Sequence, residues 1–273
     1  MPELPEVETI RRDLEKEIVG HKITDLWYDA PKMLQPTPEK LETIVGHHIV
    51  SAGRIGKLLL LGIENDGTVG IHLKLSGRLF IRDQNSPEDR FTHVIFLLDD
   101  GRELRFTEFR KFGYAKLIED EEELKTIKSK YGPEPLTSDF TFDALKKVLN
   151  KANRAVKTVI MDQKKIAGVG NIYADEALWL AKINPEALAF KLTNAEIEAL
   201  HQGIIKVIEA GIADRGTSVD DYLDVYGKEG FHAKNLNVFR QNGKPCPRCG
   251  TMIKKIRVGG RGTHLCPNCQ VKK

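Results

Sequence analysis

Four cysteines, the only ones in the chain, lie near its end in the strings CPRCG (Cys246, Cys249) and CPNCQ (Cys266, Cys269). Two C-x-x-C pairs separated by 16 residues match a four-thiolate zinc site, each pair forming a knuckle and the chain between them a hairpin. Four protein ligands close a tetrahedral ion, so the zinc expected here is single and structural, and the cysteines are not the reacting groups. Two disulfides are the alternative, disfavoured in a chain that starts without a secretion signal. Between the knuckles, TMIKKIRVGGRGTHL puts Lys254, Lys255 and Arg257 on a strand and VGGRG in a turn. A segment this short, with few large apolar residues, is expected to fold only around its metal.

Two further stretches could do chemistry. Ala167-Gly-Val-Gly-Asn171 is a tight glycine turn ending in an expected helix N-cap at Asn171. Exposed N–H groups at the positive end of a helix suit a phosphate, and Lys151, Arg154 and Lys157 lie just upstream. An ordinary helix–helix turn beside a solvated basic face has the same sequence. The chain opens MPELPEVETIRRDLEKEIV, with Val7, Ile10, Leu14 and Ile18 spaced as one face of a helix, Pro5 in its first turn, and Glu3, Glu6 and Glu8 crowding its positive end. Those residues alone are also what a well-started amphipathic helix needs.

The elements that must hold these groups follow from periodicity. Lys22 to about Ile118 is a series of short alternating or apolar runs broken by Asn65-Asp66-Gly67 and Asp99-Asp100-Gly101, which predicts an antiparallel sandwich or barrel with the first helix packed on it. YGPEPLT from Tyr131 reads as an exposed, proline-stiffened linker. From Thr141 the period turns helical, giving four helices, a loop from Gly216 to about Asn235, and the zinc hairpin. At 273 residues, two domains are comfortable. Charge is unevenly spread. From Gly230 onward ten Lys or Arg, ending with Lys273, meet no acid, so the first 229 residues carry 32 bases against 39 acids, a net of −7. A basic tail on an acidic body is a common footprint of nucleic-acid binding. No apolar run is long enough to span a bilayer, and the expectation is a soluble, cytoplasmic protein without a membrane partner.

MPELPEVET, RIGK at Arg54–Lys57, HLKLSG at His72–Gly77, FRKFG at Phe109–Gly113, GPEPL, GVGNIYADE and GRGTHLCPNCQ together resemble the formamidopyrimidine-DNA glycosylases, in order along the whole chain. The related endonuclease VIII-type enzymes usually have glycine where this chain has Leu4. The resemblance implies an α+β fold: an N-terminal antiparallel β-sandwich with packed helices (1–131), a linker (132–140), a helix–two-turn–helix domain (141–236) and a four-cysteine zinc-finger β-hairpin (237–273). It implies a bifunctional glycosylase and abasic-site lyase of base excision repair, acting as a monomer in the bacterial cytoplasm, on the nucleoid, upon double-stranded DNA with oxidised bases or abasic sites.

The resemblance also assigns roles. Met1 is removed, and the secondary amine of Pro2 attacks C1′ of the damaged nucleotide; an amine can leave a Schiff base, and an α-amino group with a pKa of about 8 is partly neutral at cellular pH. Glu3 protonates the opening sugar, with Glu6 in support. Lys57, on a strand, and Arg261, in the hairpin turn, act at the phosphates and in the eliminations. Asn171, Lys151, His72 and His93 contact DNA, and Leu75, Arg110 and Phe112 fill the gap left by an everted nucleotide. Thr217 and Ser218, in a loop of about 217–234, read the lesion. Several positions depart from the family pattern: Leu75 for methionine, Phe91 for histidine, Glu108 for aspartate, Ile55 for arginine, and Phe239-Arg240 for tyrosine-glycine. An oxidised-pyrimidine preference, or a damage-binding protein with weakened turnover, are the alternatives these departures leave.

Overall fold

The computed structural model describes residues 2–65 and 67–272; Met1, the Asp66 of the first expected turn and the terminal Lys273 lie outside the described residues. Two compact units divide the chain, one of residues up to Ser129 together with Asp214–Phe231, the other of Lys130–Ala213 and His232–Lys273.

The first unit begins with α1 (Leu4–Glu17), followed by β1 (Ile23–Tyr28), β2 (Leu34–Gln35), α2 (Pro38–Glu42), β3 (Ile49–Ile55), β4 (Leu58–Ile63), β5 (Gly67–His72), β6 (Arg78–Asp83), β7 (Thr92–Leu98), β8 (Arg102–Thr107), β9 (Tyr114–Ile118) and α3 (Glu121–Lys128). The strands form two sheets, ordered β1-β7-β8-β6 and β2-β9-β5-β4-β3. All pairs are antiparallel except the short β2 beside β9, which is parallel. Inward residues of both sheets, among them Leu61, Val69, Ile71, Val94, Phe96, Leu104 and Phe106, share one core with Val7, Ile10 and Leu14 of α1. The result is the expected β-sandwich, and burying that stripe of α1 is what fixes the helix. The same buried face carries three acids, Glu6, Glu8 and Asp13. Charged groups almost never go inside without partners, so their partners are informative.

The second unit holds α4 (Phe142–Asn150), α5 (Val156–Ile160), α6 (Asn171–Leu180), α7 (Asn194–Ala213) and the hairpin β10 (Lys254–Val258) with β11 (Arg261–Leu265). α6 is buried nearly all round and packs on α7. Gly211 permits this: a Cβ there would lie 2.6 Å from the Tyr173 ring.

Two boundaries differ from the expected ones. Residues 214–231 lie with the N-terminal sheets instead of with the helices before them, because their backbone bonds to β6 and their side chains to α1. The zinc hairpin is part of the helical unit and no separate body. The 131–135 stretch is half-buried instead of an exposed linker, since Gly132 N–H donates to Gln163 O at 2.9 Å and Ala167 N–H to Pro133 O at 3.1 Å.

Candidate active-site and nucleic-acid-binding residues

Pro2 is buried, and Glu3, 2% exposed, is the N-cap of α1. The Glu3 N–H donates to Glu6 Oε2 at 2.8 Å, while the Glu3 carboxylate takes the Glu6 N–H in a reciprocal capping box. Glu6 also accepts the Thr217 N–H on its other oxygen, at 2.8 Å. One carboxylate therefore ties the residue after Pro2 to the 214–231 segment. Gly216 makes the approach possible: its φ is +87°, and a Cβ would lie 3.0 Å from Glu6 Cγ and 2.7 Å from the Tyr222 ring. Arg215 staples the segment again, donating to Asp13 at 2.6 Å and Asp224 at 2.7 Å. Burial raises the Asp13 pKa above the ordinary carboxylate value, and Arg215 offsets only part of that rise.

Lys57 occupies the two-residue turn between β3 and β4, after Gly56 at φ +56°, and is only 7% exposed. His72 ends β5. Burial, and then the charges of Lys74 and Lys57, push its pKa down to about 4. Its Nδ1 accepts the Lys74 N–H at 3.0 Å, which leaves the proton of the neutral ring on Nε2. His72 thus offers a donor beside two lysines without adding a third charge.

Glu108 organises the loop that follows β8. Its carboxylate accepts from Ser76 Oγ and from the N–H groups of Arg110, Phe112 and Gly113. Burial would raise its pKa, but these hydrogen bonds outweigh that and hold it low. The loop backbone is therefore pinned while Arg110 and Phe112 stay exposed, Phe112 at 62%. Leu75, 39% exposed, stands on the neighbouring β5–β6 turn. Leu75, Ser76, Glu108 and Arg110 share a cavity of about 570 Å³ with Arg78. Arg78 donates to the Asp221 carbonyl and so fixes the 214–231 segment along that wall.

In the helical unit, Asn171 Nδ2 donates to Gly262 O at 3.1 Å, which sets it one residue from the exposed Arg261. Lys157, fully buried, donates to Gly262 O at 3.2 Å and Thr263 Oγ1 at 2.7 Å and pairs with Asp175 at 2.6 Å. Asp175 in turn accepts the His264 N–H at 2.8 Å. Strand β11 is thereby locked to α5 and α6.

The four cysteine sulfurs lie within 4.8 Å of one another, two pairs at 3.4 and 3.5 Å. Tetrahedral zinc with Zn–S bonds of about 2.3 Å needs sulfurs about 3.8 Å apart, so this cluster fits one structural zinc with no position left for substrate. Hydrogen bonds from Thr251 and Asn268 pull the Cys249 pKa down to about 5, while burial pushes those of Cys266 and Cys269 up. Trp179 of α6 donates its indole N–H to Cys246 Sγ at 3.4 Å, joining the metal site to the helices.

Residues 1–115 match the formamidopyrimidine-DNA glycosylase N-terminal domain, and residues 131–222 the H2TH domain of the same enzymes. A formamidopyrimidine-DNA glycosylase from Desulforamulus reducens is 45% identical over 278 residues, covering all of both chains. The chain belongs to the formamidopyrimidine-DNA glycosylase family. Residues 243–271 match the zinc finger found in FPG and IleRS. Two solved formamidopyrimidine-DNA glycosylase structures have the same fold. A Lactococcus lactis FPG mutant in complex with a Fapy-dG containing DNA has a TM-score of 0.94 at 38% identity, covering 99% of this chain and 100% of that one. MutM in complex with carbocyclic 8-oxo-G containing DNA has a TM-score of 0.93 at 38% identity, with the same coverage.

Several residues stand otherwise than the formamidopyrimidine-DNA glycosylase pattern led one to expect. His93 is buried on β7, its Nδ1 2.7 Å from Oδ1 of Asp29, the residue just after β1. Thr217 is buried, and Ser218 Oγ donates to Tyr222 O and accepts from Gly230 N–H, so both shape their loop from within. Asn171 is the first helical residue and not the N-cap, which is Gly170; the shift frees its carboxamide to reach Gly262. Lys57 lies in a turn and not on a strand, and Arg261 opens β11 just after the Gly259-Gly260 turn. Lys151 is exposed at the C-cap of α4. Glu108, Asp175 and Arg215 carried no assignment from sequence. Of these, Glu108 had a readable signal, an acid placed two to five residues before a loop ending in glycine.

Proposed function

We propose that this protein is a bifunctional DNA glycosylase and abasic-site lyase that removes oxidised purines, 8-oxoguanine and formamidopyrimidines, from duplex DNA in the bacterial cytoplasm. The observation that carries the reading is the start of α1. A proline and a glutamic acid are buried there together, held by a second buried carboxylate, where an ordinary helix start would leave them in water. Once Met1 is removed, the Pro2 nitrogen has a lone pair; it forms a bond to C1′ as the glycosidic electrons leave with the base, and the proton then shed by the nitrogen neutralises the departing base. Glu3 gives a proton to the ring oxygen as the sugar opens, leaving an iminium ion. Loss of a C2′ proton expels the 3′ phosphate, and a second elimination expels the 5′ phosphate, with Lys57 and Arg261 offsetting the charge that develops on the leaving groups. Arg110 and Phe112, on a backbone pinned by Glu108, supply with Leu75 of the β5–β6 turn the wedge that keeps the nucleotide out of the stack.

Borohydride reduction during reaction with an 8-oxoguanine·cytosine duplex tests this reading. A covalent adduct on the peptide that begins at Pro2 is expected. Fully active protein that retains Met1, or turnover with no trapped adduct, would overturn it. Glu3→Gln should lower base removal by about a hundredfold or more, the scale of a lost general acid.

A further inference from the structure

Arg215 sits at φ +58°, a left-handed backbone that favours glycine, and Gly216 follows at +87°. Such a conformation persists in an arginine only where the surroundings hold it, and the guanidinium shows how. One nitrogen, Nη2, donates to Asp13 Oδ2 of α1 at 2.6 Å and to Asp224 Oδ2 at 2.7 Å. The two aspartate side chains are only 8% and 3% exposed. Asp224 turns its other oxygen to the N–H groups of Tyr226 and Lys228, at 3.0 and 2.9 Å, and so fixes the turn it begins. A single cation thus joins the entry of the 216–223 loop, its exit and α1. Asp13 shares a face of α1 with Glu6, two turns before it, and Glu17, one turn after it. Glu6 takes the Thr217 N–H at 2.8 Å, and Glu17 the Tyr226 hydroxyl at 2.9 Å.

Held at both ends, the loop presents a short arc, with Asp220 and Asp221 exposed and Tyr222 already back in the sandwich core. The arc begins at Thr217, whose N–H bonds the same Glu6 carboxylate that takes the Glu3 N–H. It therefore starts one side chain away from the groups read as nucleophile and acid. A base still attached at C1′ of the sugar that Pro2 attacks needs a wall to fix it, whereas an abasic sugar has nothing to fix. Given the glycosylase reading, on which the proposal rests, we propose that Asp13, Arg215 and Asp224 are positioning residues that hold this loop as a wall for the everted base, so that they govern base excision and not cleavage at an existing abasic site. Without the guanidinium, two buried carboxylates bonded to one nitrogen would lose their shared cation, and their repulsion would open the mouth of the loop.

Arg215→Gly is the appropriate variant, because glycine adopts a positive φ freely and only the guanidinium is lost. Two single-turnover rates would be measured with protein in excess: base release from an 8-oxoguanine·cytosine duplex, and strand cleavage at a preformed abasic site opposite cytosine. Arg215→Gly should slow base release about tenfold, within what a misplacement of about 1 Å costs, and abasic cleavage by less than about twofold. Asp13→Asn should do the same, and Asp13→Glu, which keeps the charge, should recover most of the loss. A parallel fall in both rates, or Asp13→Glu no better than Asp13→Asn, would reduce the ion pairs to a structural staple and overturn the proposal, as would no change in either rate. Wild-type protein that releases no 8-oxoguanine would instead overturn the glycosylase reading, and the proposal with it.

Discussion

His72 shows how one side chain can be set by its neighbours. Its pKa of about 4, against 6.5 for a free imidazole, means that the folded protein binds fewer protons there than the unfolded chain between those two values. Stability from this site is therefore intact above about pH 6.5 and falls as pH drops toward 4, by about 3 kcal/mol at most. His72→Gln should flatten the pH dependence of the urea-unfolding free energy between about pH 6.5 and about pH 4.5. Lys57→Met, by removing one of the two repelling charges, should raise the His72 pKa measured by NMR titration of the ring; an unmoved titration would show that Lys57 does not act on it. Such environments are not legible in sequence, because they depend on which charges the β3–β4 and β5–β6 turns bring together. Pro2 and Glu3 were legible only by resemblance, since a helix start has uses of its own for proline and acids. The setting of His93 was hidden for the opposite reason: a histidine on a strand gives no sign of which side it faces until the pairing partner is known, and here it is held by Asp29.

At the scale of elements, the strands were readable because turn signals and apolar runs repeat at strand intervals, and α1 and α4–α7 because their apolar spacing is helical. The two-residue β2 and the five-residue α2 were not: β2 is too short to alternate, and α2 buries only Leu41, whereas the equally short α5 buries Val156, Val159 and Ile160. Attachment of residues 214–231 to the sheets was also hidden, because it depends on ion pairs between residues 202 positions apart, such as Arg215 with Asp13. The same is true of the lock between α5, α6 and β11. Lys157 and Asp175 are both fully buried, so removing one leaves the other's charge buried without its ion-pair partner. Lys157→Met should destabilise the protein by about 3–5 kcal/mol in urea unfolding, and Lys157→Met with Asp175→Leu should recover much of that loss. A single variant as stable as wild type would mean that β11 is held in register by the zinc knuckles alone.

For the molecule as a whole, the decisive asymmetry is that ten basic residues and no acids follow Gly230, in the stretch that carries the four clustered cysteines. Affinity for DNA falls with salt in proportion to the number of phosphates neutralised, with a log–log slope of about −0.9 for each contact. Arg261→Ala removes one expected contact and should flatten the slope by about 0.9, leaving the fold intact because Arg261 is exposed. Stripping zinc with a chelator should flatten it much further, because Lys254, Lys255 and Arg257 share the hairpin whose knuckles the metal closes, and Trp179 loses its bond to Cys246. Fluorescence anisotropy on a tetrahydrofuran duplex between about 50 and about 300 mM salt (a span of roughly sixfold, enough to resolve one contact) would measure both slopes. The sandwich unit has its own core and contains none of the cysteines, so its unfolding transition should survive chelation. If the chelated protein kept the wild-type slope, the basic tail would be binding DNA as a disordered charge cloud, and the metal would have no part in presenting Arg261.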